Sequence, residues 1–499
     1  VRQASFGYQK ALCCTVFSDQ SEVVVNSSVR PEITQELILA LESIVGSKQT
    51  FTDARVIETF SRDQYGFSPV LEKILSEKRA DVIVAPGSSE ELVQIIHLAA
   101  REGVPLTLRG AGSGNYGQAV PLRGGIVASM HRMNQIIEID PATRSARVQA
   151  GVRMGQLERA ARDRGLELRM YPSTWATATL AGFIGGGFGG VGSIEHGTIW
   201  DDLVLEAEIV PMTPDAQALR INGADLFSLI HAYGTTAIMT ELHIRLTDAT
   251  PWEESVFSFP SLENAIGFAL LIANDRNERK REVGINEWPI PTYFTPLVKA
   301  GGVREGRANV MLEVMNGRSK QLVARAATFG GTLDYLNPHE HYHRSGFALS
   351  DFTWNHTTLW AQKTDPELTY TQARFSVDGL FDQVQAIKNQ FGDEVLMHLE
   401  FIREGVAHGE GQLVSASLPL VRYSSDARLF EIQSFFESVG VQIADPHTYY
   451  LDGDSRWSGE AVLNGIKRYN PLGLLNPGKL RVLETGQAST AAGSWFKTV

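Results

Sequence analysis

Residues 109–118, R-G-A-G-S-G-N-Y-G-Q, constrain the fold of this chain more than any other stretch. They follow the apolar run 104–108, which reads as a short strand, and put four glycines into ten residues. With so few Cβ atoms, such a loop can aim several backbone N–H groups at one point, a nest suited to phosphate. A plain surface turn can have the same composition. A second glycine-rich loop downstream favours the nest.

That second loop is residues 171–197, Y-P-S-T-W-A-T-A-T-L-A-G-F-I-G-G-G-F-G-G-V-G-S-I-E-H-G. It holds eight glycines, two serines, three threonines and one charged residue. A flexible linker would not normally also carry Trp175, Leu180, Phe183, Ile184 and Phe188. Their presence predicts a buried path where backbone passes close to a ligand. The first loop is delivered by a strand–helix–strand unit. Residues 81–86 (D-V-I-V-A-P) read as a buried strand. Ser88-Ser89-Glu90-Glu91 then caps a helix to about Arg101, with Leu92, Ile95, Ile96 and Ala99 inward. Strand 104–108 follows, so the glycines sit at one end of a sheet, where ligands of α/β folds bind.

The chain has 499 residues, long for one core, so two domains or one large bipartite domain is the expectation. Composition is that of a globular protein, 43% apolar and 20% charged. With 45 basic against 57 acidic residues the formal charge is −12, which argues against nucleic acid or an anionic membrane as partner. No apolar stretch reaches the ~18 residues of a membrane span. Cys13 and Cys14 are adjacent, unsuited to a structural disulfide and too few for a zinc site, so no metal is expected. Residues 1–18 have no acid before Asp19, a feature shared with trimmed transit peptides, and no secretory apolar core. The expected compartment is cytoplasmic, with organellar targeting left open. Asn26-Ser27-Ser28 and Asn355-His356-Thr357 match the glycosylation sequon, a match common by chance.

Residues 1–30 show no periodicity and read as a loose arm. Helical spacing of Ile33, Leu37, Ile38, Leu41 and Ile44 predicts a helix over 31–44. Further on come a strand at 125–130, a hairpin of 138–140 with 146–150, a helix over 154–165, and strands at 203–210 and 234–246. Composition changes at Thr250-Pro251. Beyond it, strands are expected at 255–259, 307–315, 395–402 and 413–420, with helices at 262–274, 319–327, 378–390 and 426–439. Strands and helices of this kind give an α+β layer on a mostly antiparallel sheet. The division expected is an N-terminal arm and helix (1–49), a ligand-binding domain (50–250), a substrate or cap domain (251–444) and a C-terminal return (445–499).

Six motifs occur in order: P-G-S-S-E-E-L at 86–92, R-G-A-G-S-G-N-Y-G-Q at 109–118, G-G-I-V at 124–127, P-S-T-W-A-T-A-T-L-A-G-F at 172–183, G-S-I-E-H-G-T-I-W-D at 192–201 and N-P-L-G-L-L-N-P-G-K at 470–479. Together the set resembles FAD-linked oxidoreductases of the vanillyl-alcohol oxidase / p-cresol methylhydroxylase superfamily, with the glycolate oxidase subunit and D-lactate dehydrogenase as the most similar branch. The resemblance implies an α+β protein: a two-subdomain FAD-binding domain of the p-cresol methylhydroxylase (PCMH) type, and an α+β cap with an antiparallel sheet. It implies that Arg109, Gly110, Ala111, Gly112, Ser113, Gly114, Asn115 and Gln118, with Pro172, Ser173 and Thr174, hold the FAD pyrophosphate. Thr179, Gly182, Gly192 and Ser193 correspond to positions near the isoalloxazine or ribityl chain, and Ile238 to a backbone contact on the adenine side. Asn476 and Lys479 match the terminal N-P-G-K, whose lysine would offset charge on reduced flavin.

Three departures from the family pattern matter. The first loop lacks the histidine, and the second lacks the cysteine, that relatives use to bond flavin covalently; non-covalent FAD is therefore expected. The branch's metal motif H-x-G-D-G-N-x-H and its G-E-H-G-I-G are also missing. Residues 396–401 and 445–450 stand in their places.

Candidate catalytic groups follow. In residues 395–402 the alternation sets Val395, Met397, Leu399 and Phe401 on one face and Leu396, His398, Glu400 and Ile402 on the other. Burying His398 and Glu400 is costly unless they meet each other or a ligand, so both are candidates for the substrate site. Residues 352–360 (F-T-W-N-H-T-T-L-W) offer two tryptophans, Asn355 and His356 as a box for a ring or sugar-like ligand. His447 is the candidate general base, with Tyr449 or Tyr450 as a phenolic partner. The expected function is FAD-dependent removal of a hydride from a small hydroxylated or phenolic molecule. Two alternatives stand: a D-2-hydroxy-acid dehydrogenase, and a non-catalytic flavoprotein subunit of a larger complex. Oxygen, a quinone or a cytochrome would be the electron acceptor. His131, bulky at a position that gates oxygen in relatives, leans toward a dehydrogenase. A homo-oligomer is compatible with the sequence.

Overall fold

A computed structural model describes residues 33–339, 346–453 and 458–485. The arm 1–30, Cys13, Cys14 and the sequon at Asn26 lie outside the described residues. The fold is α+β, with four sheets.

The first sheet orders Thr50–Phe51, Val82–Val84, Ile126–Ser129 and Leu106–Arg109. Its last three strands are parallel, Val82 and Leu106 each standing in register with Ile126. Helix Ser89–Glu102 links two of them. Ser88 Oγ accepts from Glu91 N at 3.2 Å, Glu91 Oε2 accepts from Gly87 N at 2.7 Å, and Gly103 ends the helix at φ 65°. The expected inward residues Leu92, Ile95, Ile96 and Ala99 are buried there. Helix Gln35–Val45 packs on the same core through Leu37, Leu41 and Val45. The chain leaves strand Leu106–Arg109 at its carboxyl end, straight into the first glycine loop.

The second sheet is antiparallel and centres on the long strand Ile238–Asp248, flanked by Ser145–Gln149 and Val204–Val210. The hairpin is present as Ile136–Asp140 with Ser145–Gln149. Strand Leu166–Leu168, paired with Ile238–Asp248, is an addition to the sequence reading. The second glycine loop holds two short helices, Leu180–Gly186 and Ser193–His196, rather than irregular backbone throughout.

The third sheet has eight antiparallel strands in the order Thr332–Asn337, Trp252–Phe259, Ala308–Met315, Lys280–Asn286, His398–Glu404, Gln412–Ser417, Ala373–Ser376 and Gln442–Ile443. Helices Leu262–Asn274, Ser319–Ala327, Leu380–Phe391 and Asp426–Ser438 form where helical spacing predicts them. Two expected strands are each split. Residues 395–402 become Val395–Leu396 and His398–Glu404, while 413–420 become Gln412–Ser417 and Leu420–Arg422. Pro419 has no N–H for a ladder, and Met397 N donates instead to Glu287 Oε2 at 2.7 Å. Both chains therefore step from the large sheet into a small three-stranded one. Strand Lys280–Asn286 has no apolar signature, yet all seven of its residues are buried.

The charges of that strand explain how the cap sheet is fastened. Arg281, 3% exposed, lies 4.4 Å from the Tyr171 ring centroid. Its guanidinium is 3.5 Å from Glu158, 3.8 Å from Glu167 and 3.8 Å from Glu313. Trp252 Nε1 donates to Glu167 Oε2 at 3.0 Å. A lone buried cation would be prohibitively costly, so this array fixes the cap against residues 158–171.

Candidate functional site

The two glycine loops meet at the mouth of a cleft of about 1550 Å³, counted with the open solvent at its mouth. Gly110, Ala111, Gly112, Ser113, Gly114, Asn115 and Gln118 line it from the first loop. Pro172, Ser173, Thr174, Thr179 and Gly182 line it from the second. The loops interlock. Thr179 caps helix Leu180–Gly186, accepting from Gly182 N at 3.3 Å, and a Cβ on Gly110 would overlap its Oγ1. Gln118 Nε2 donates to Gly186 O at 2.8 Å, and a Cβ on Gly114 would overlap the Gln118 carboxamide. A side chain at Gly110 would displace the Thr179 cap, and one at Gly114 would displace the Gln118 carboxamide.

The N–H groups of residues 111–115 find no acceptor among the described residues, whereas Tyr116 N donates to Gln118 Oε1 and Ala119 N to Asp63 Oδ2. Five successive bare amides beside a glycine-lined cleft form a site for a diphosphate, and so for the pyrophosphate of FAD. Aliphatic and aromatic walls, including Leu108, Met130, Phe183, Phe188, Tyr233 and Met239, suit the cofactor's flat rings. The residues present therefore fit FAD.

Six residues expected at the cofactor do not line the cleft. The Arg109 guanidinium turns back beneath Gly112, donating to Arg62 O at 2.5 Å and Phe60 O at 3.3 Å. It clamps the loop rather than facing an anion. Gly192 at φ 99° packs on Arg169 O, and Ser193 Oγ accepts from Gly190 N at 3.0 Å. Both shape the second loop from behind. Ile238 points into the core, whereas Ala237 and Met239 reach the cleft. Asn476 holds the first loop from below, donating to Gln118 O at 2.8 Å and Tyr233 O at 2.6 Å.

Lys479 is 1% exposed, not a surface lysine. Its ammonium donates to Gly117 O and, at 3.0 Å, to Val120 O. Burial pulls it down to about 7, against the opposing charge of Asp63. It supports the loop and does not line the cleft. Asp63, absent from the sequence reading, does line the cleft. It accepts from Tyr65 N at 3.1 Å and Ala119 N at 3.3 Å, and burial pushes it up to about 6 despite Lys479.

The cap contributes the roof: Trp354, Asn355, Gln372, Ala416, Ser417 and Leu418. Among the described residues, no Arg, Lys or His side chain lines the cleft, and Asp63 is its one carboxylate. No group of three His, Cys, Asp or Glu suited to a metal occurs among them either. Gln372 Nε2 donates to the Tyr116 hydroxyl, and Asn115 Nδ2 to the Tyr370 hydroxyl at 2.5 Å, tying roof to loop.

None of the expected catalytic side chains lines the cleft. His447 is 3% exposed and has both ring nitrogens engaged: Nε2 donates to Tyr370 O at 2.8 Å and Nδ1 accepts from Ser68 Oγ at 2.7 Å. Burial pulls its pKa down, against Asp445. The neutral ring joins two segments and has no lone pair left for a substrate. Tyr449 donates to the Tyr450 hydroxyl at 3.3 Å, packs near Leu75, and is pushed up by burial. His356 lies in the first turn of helix Asn355–Thr364, with its pKa lowered by burial. Of the proposed aromatic box, Trp354 and Asn355 reach the cleft; the Trp360 indole instead donates to Asp351 O at 2.8 Å. His131 is exposed and bonded to Ser129 at 2.9 Å; Met130 is the residue that faces the cleft.

His398 and Glu400 are fully buried. They meet each other, His398 Nε2 donating to Glu400 Oε1 at 2.7 Å. They stand one layer behind the roof, since Glu400 Oε1 also accepts from Trp354 N at 3.0 Å. Trp354 is held at φ 55°, a conformation that costs a bulky residue about 1–3 kcal/mol.

The model of an FAD binding domain matches residues 80–221. The chain is 30% identical over 217 residues to an uncharacterised FAD-linked oxidoreductase of Mycobacterium tuberculosis, covering 42% of this chain and 46% of the relative. It is 31% identical over 233 residues to a D-lactate dehydrogenase of Archaeoglobus fulgidus, covering 44% and 51%. It is 30% identical over 251 residues to a glycolate oxidase subunit of Escherichia coli, covering 48% of each. The matches thus span about half the length of these curated relatives. Among solved structures, alkyldihydroxyacetonephosphate synthase superposes with a TM-score of 0.67 at 16% identity, over 90% of this chain and 87% of that one. Substrate-bound p-cresol methylhydroxylase gives 0.64 at 14% identity, over 90% and 97%. The fold is the one these two proteins share. No helix among the described residues is long and apolar enough to cross a membrane.

Proposed function

We propose that this chain, an FAD-linked oxidoreductase homologue whose residues 80–221 match an FAD-binding domain, removes a hydride from a small, uncharged, hydroxylated or phenolic molecule. The observation that carries the reading is the contrast across one cleft: bare amides on the loop side, an uncharged roof on the other. Bound FAD would supply the two-electron acceptor. The first loop would hold its pyrophosphate, with Arg109, Asn476 and Lys479 keeping that loop in shape from behind. Trp354, Asn355, Gln372 and Ser417 would orient the substrate and, with Leu418 and Ala416, keep water from it.

A D-2-hydroxy-acid substrate is the second reading, favoured by the names of the D-lactate and glycolate relatives. A carboxylate buried in this cleft would need a cation, and among the described residues none lines it. A third reading, a non-catalytic flavoprotein subunit, draws on the word subunit in one relative's name. Anaerobic stopped-flow mixing of the FAD-loaded protein with neutral aryl and alkyl alcohols tests the first and third readings together. Flavin bleaching in turnover-competent time supports catalysis. No bleaching by any alcohol or hydroxy acid supports the subunit.

A further inference from the structure

We propose that Trp354 is the specificity-determining wall of the cleft, reading a flat uncharged ring, and that the buried Glu282–Glu400–His398 cluster is the clamp that positions it. The proposal rests on the cleft being where substrate meets bound FAD.

The indole is tied at both ends. Its backbone N–H donates to Glu400 Oε1 at 3.0 Å and its ring Nε1 to Glu282 Oε2 at 3.2 Å. These carboxyls come from neighbouring strands, Lys280–Asn286 and His398–Glu404, whose register places Gly284 opposite Glu400. Gly284 is needed there because a Cβ would lie 2.7 Å from Glu400 Oε2. Both carboxyls thus converge on Trp354, and burial, with the Glu400 charge beside it, pushes the Glu282 pKa well up. Two buried carboxylates in contact cannot both be ionised, so the pair holds at least one proton. Glu400 Oε2 is buried and has no partner among the described residues, as suits a protonated carboxyl. His398 closes the cluster from the far side, with Thr357 Oγ1 3.3 Å from its Nε2.

Such a cluster is costly for a sheet interior, and so is the positive φ of Trp354. Together they fix one indole orientation at the edge of the cleft, which a packed apolar core would not need. The same roof holds Gln372, whose buried Oε1 has no partner among the described residues. It is an acceptor for one hydroxyl on whatever lies against the indole. An indole, a carboxamide acceptor and, among the described residues, no cation describe a neutral ring bearing a hydroxyl.

Phenol, anisole and cyclohexanol distinguish these features. Their dissociation constants are measured on FAD-loaded protein from perturbation of the flavin band, with FAD content and melting temperature as controls. Wild type is expected to bind phenol at least tenfold tighter than cyclohexanol. Trp354→Ala should lose that preference and Trp354→Phe keep most of it. Gln372→Leu should erase the preference for phenol over anisole. For the clamp, Glu282→Gln, a neutral isostere of the protonated acid, should retain phenol affinity and the near-ultraviolet circular dichroism of the indole. Glu282→Ala should lose both. Equal phenol and cyclohexanol affinity in wild type, or unchanged phenol affinity in Trp354→Ala, overturns the proposal. Should phenol binding depend on Trp354 while no alcohol ever bleaches the flavin, the wall stands and the oxidoreductase reading falls.

Discussion

Gly110 and Thr179 meet where the two glycine loops touch, with no room for a Cβ between the Gly110 backbone and the Thr179 hydroxyl. That hydroxyl is already committed to Gly182 N at 3.3 Å. Gly110→Ala should therefore push the first loop off the second. Overpacking of this kind costs about 1–3 kcal/mol, so FAD affinity should fall by roughly tenfold or more. Titration of apoprotein with FAD checks this, and circular dichroism should show the fold retained.

Lys479 supports the same loop through the Gly117 and Val120 carbonyls. Lys479→Met should leave those buried carbonyls without their donor and Asp63 without an opposing charge, a loss of about 1–3 kcal/mol. Adding Asp63→Asn should recover part of it. Thermal melting of the two single variants and the double variant measures the coupling, and additive losses would contradict it.

His398 is held neutral, its pKa pulled by burial to about 3. In the unfolded chain it binds a proton below about 6.5. Between those values the unfolded state holds more protons, so this group's contribution to stability is full above pH 6.5 and is lost as pH falls toward 3. Comparison with His398→Gln isolates it. The stability difference between wild type and variant should shrink by about 1.4 kcal/mol per pH unit well below pH 6.5. A difference constant from pH 7.5 to 4.5 would contradict the buried neutral ring.

His447 joins Ser68 to Tyr370. His447→Asn should lower stability by about 1–3 kcal/mol through lost buried hydrogen bonds. Flavin reduction should stay within about threefold of wild type, because the ring faces no substrate. Rapid-kinetic reduction alongside denaturant unfolding separates the two effects.

What the sequence made legible follows from where the information sits. The glycine loops could be read because close approach, as of Gly110 to Thr179, favours glycine, and glycine density is visible in a string of residues. Helices such as Leu262–Asn274 were legible because one apolar stripe faces one core. Strand Lys280–Asn286 was not, since its buried Arg281 and Glu282 are matched by partners far along the chain. The roof was equally hidden. Gln372 and Ser417 are ordinary polar residues until strands from distant segments bring them over the cleft. His447 drew attention for its chemistry and its place near the C-terminal return, but both its nitrogens turned out to be engaged. Alternation correctly put His398 and Glu400 on one face, and could not show that Trp354 stands between them and the cleft.

The central claim is an FAD site roofed, among the described residues, by uncharged side chains that receive an uncharged substrate. Anaerobic titration of the FAD-loaded protein with matched panels tests it most directly: neutral aryl and alkyl alcohols in one, D-lactate, glycolate and D-2-hydroxyglutarate in the other, each followed by loss of the ~450 nm flavin band. The account predicts bleaching by members of the neutral panel and none by the hydroxy acids. Bleaching by the hydroxy acids alone would contradict it.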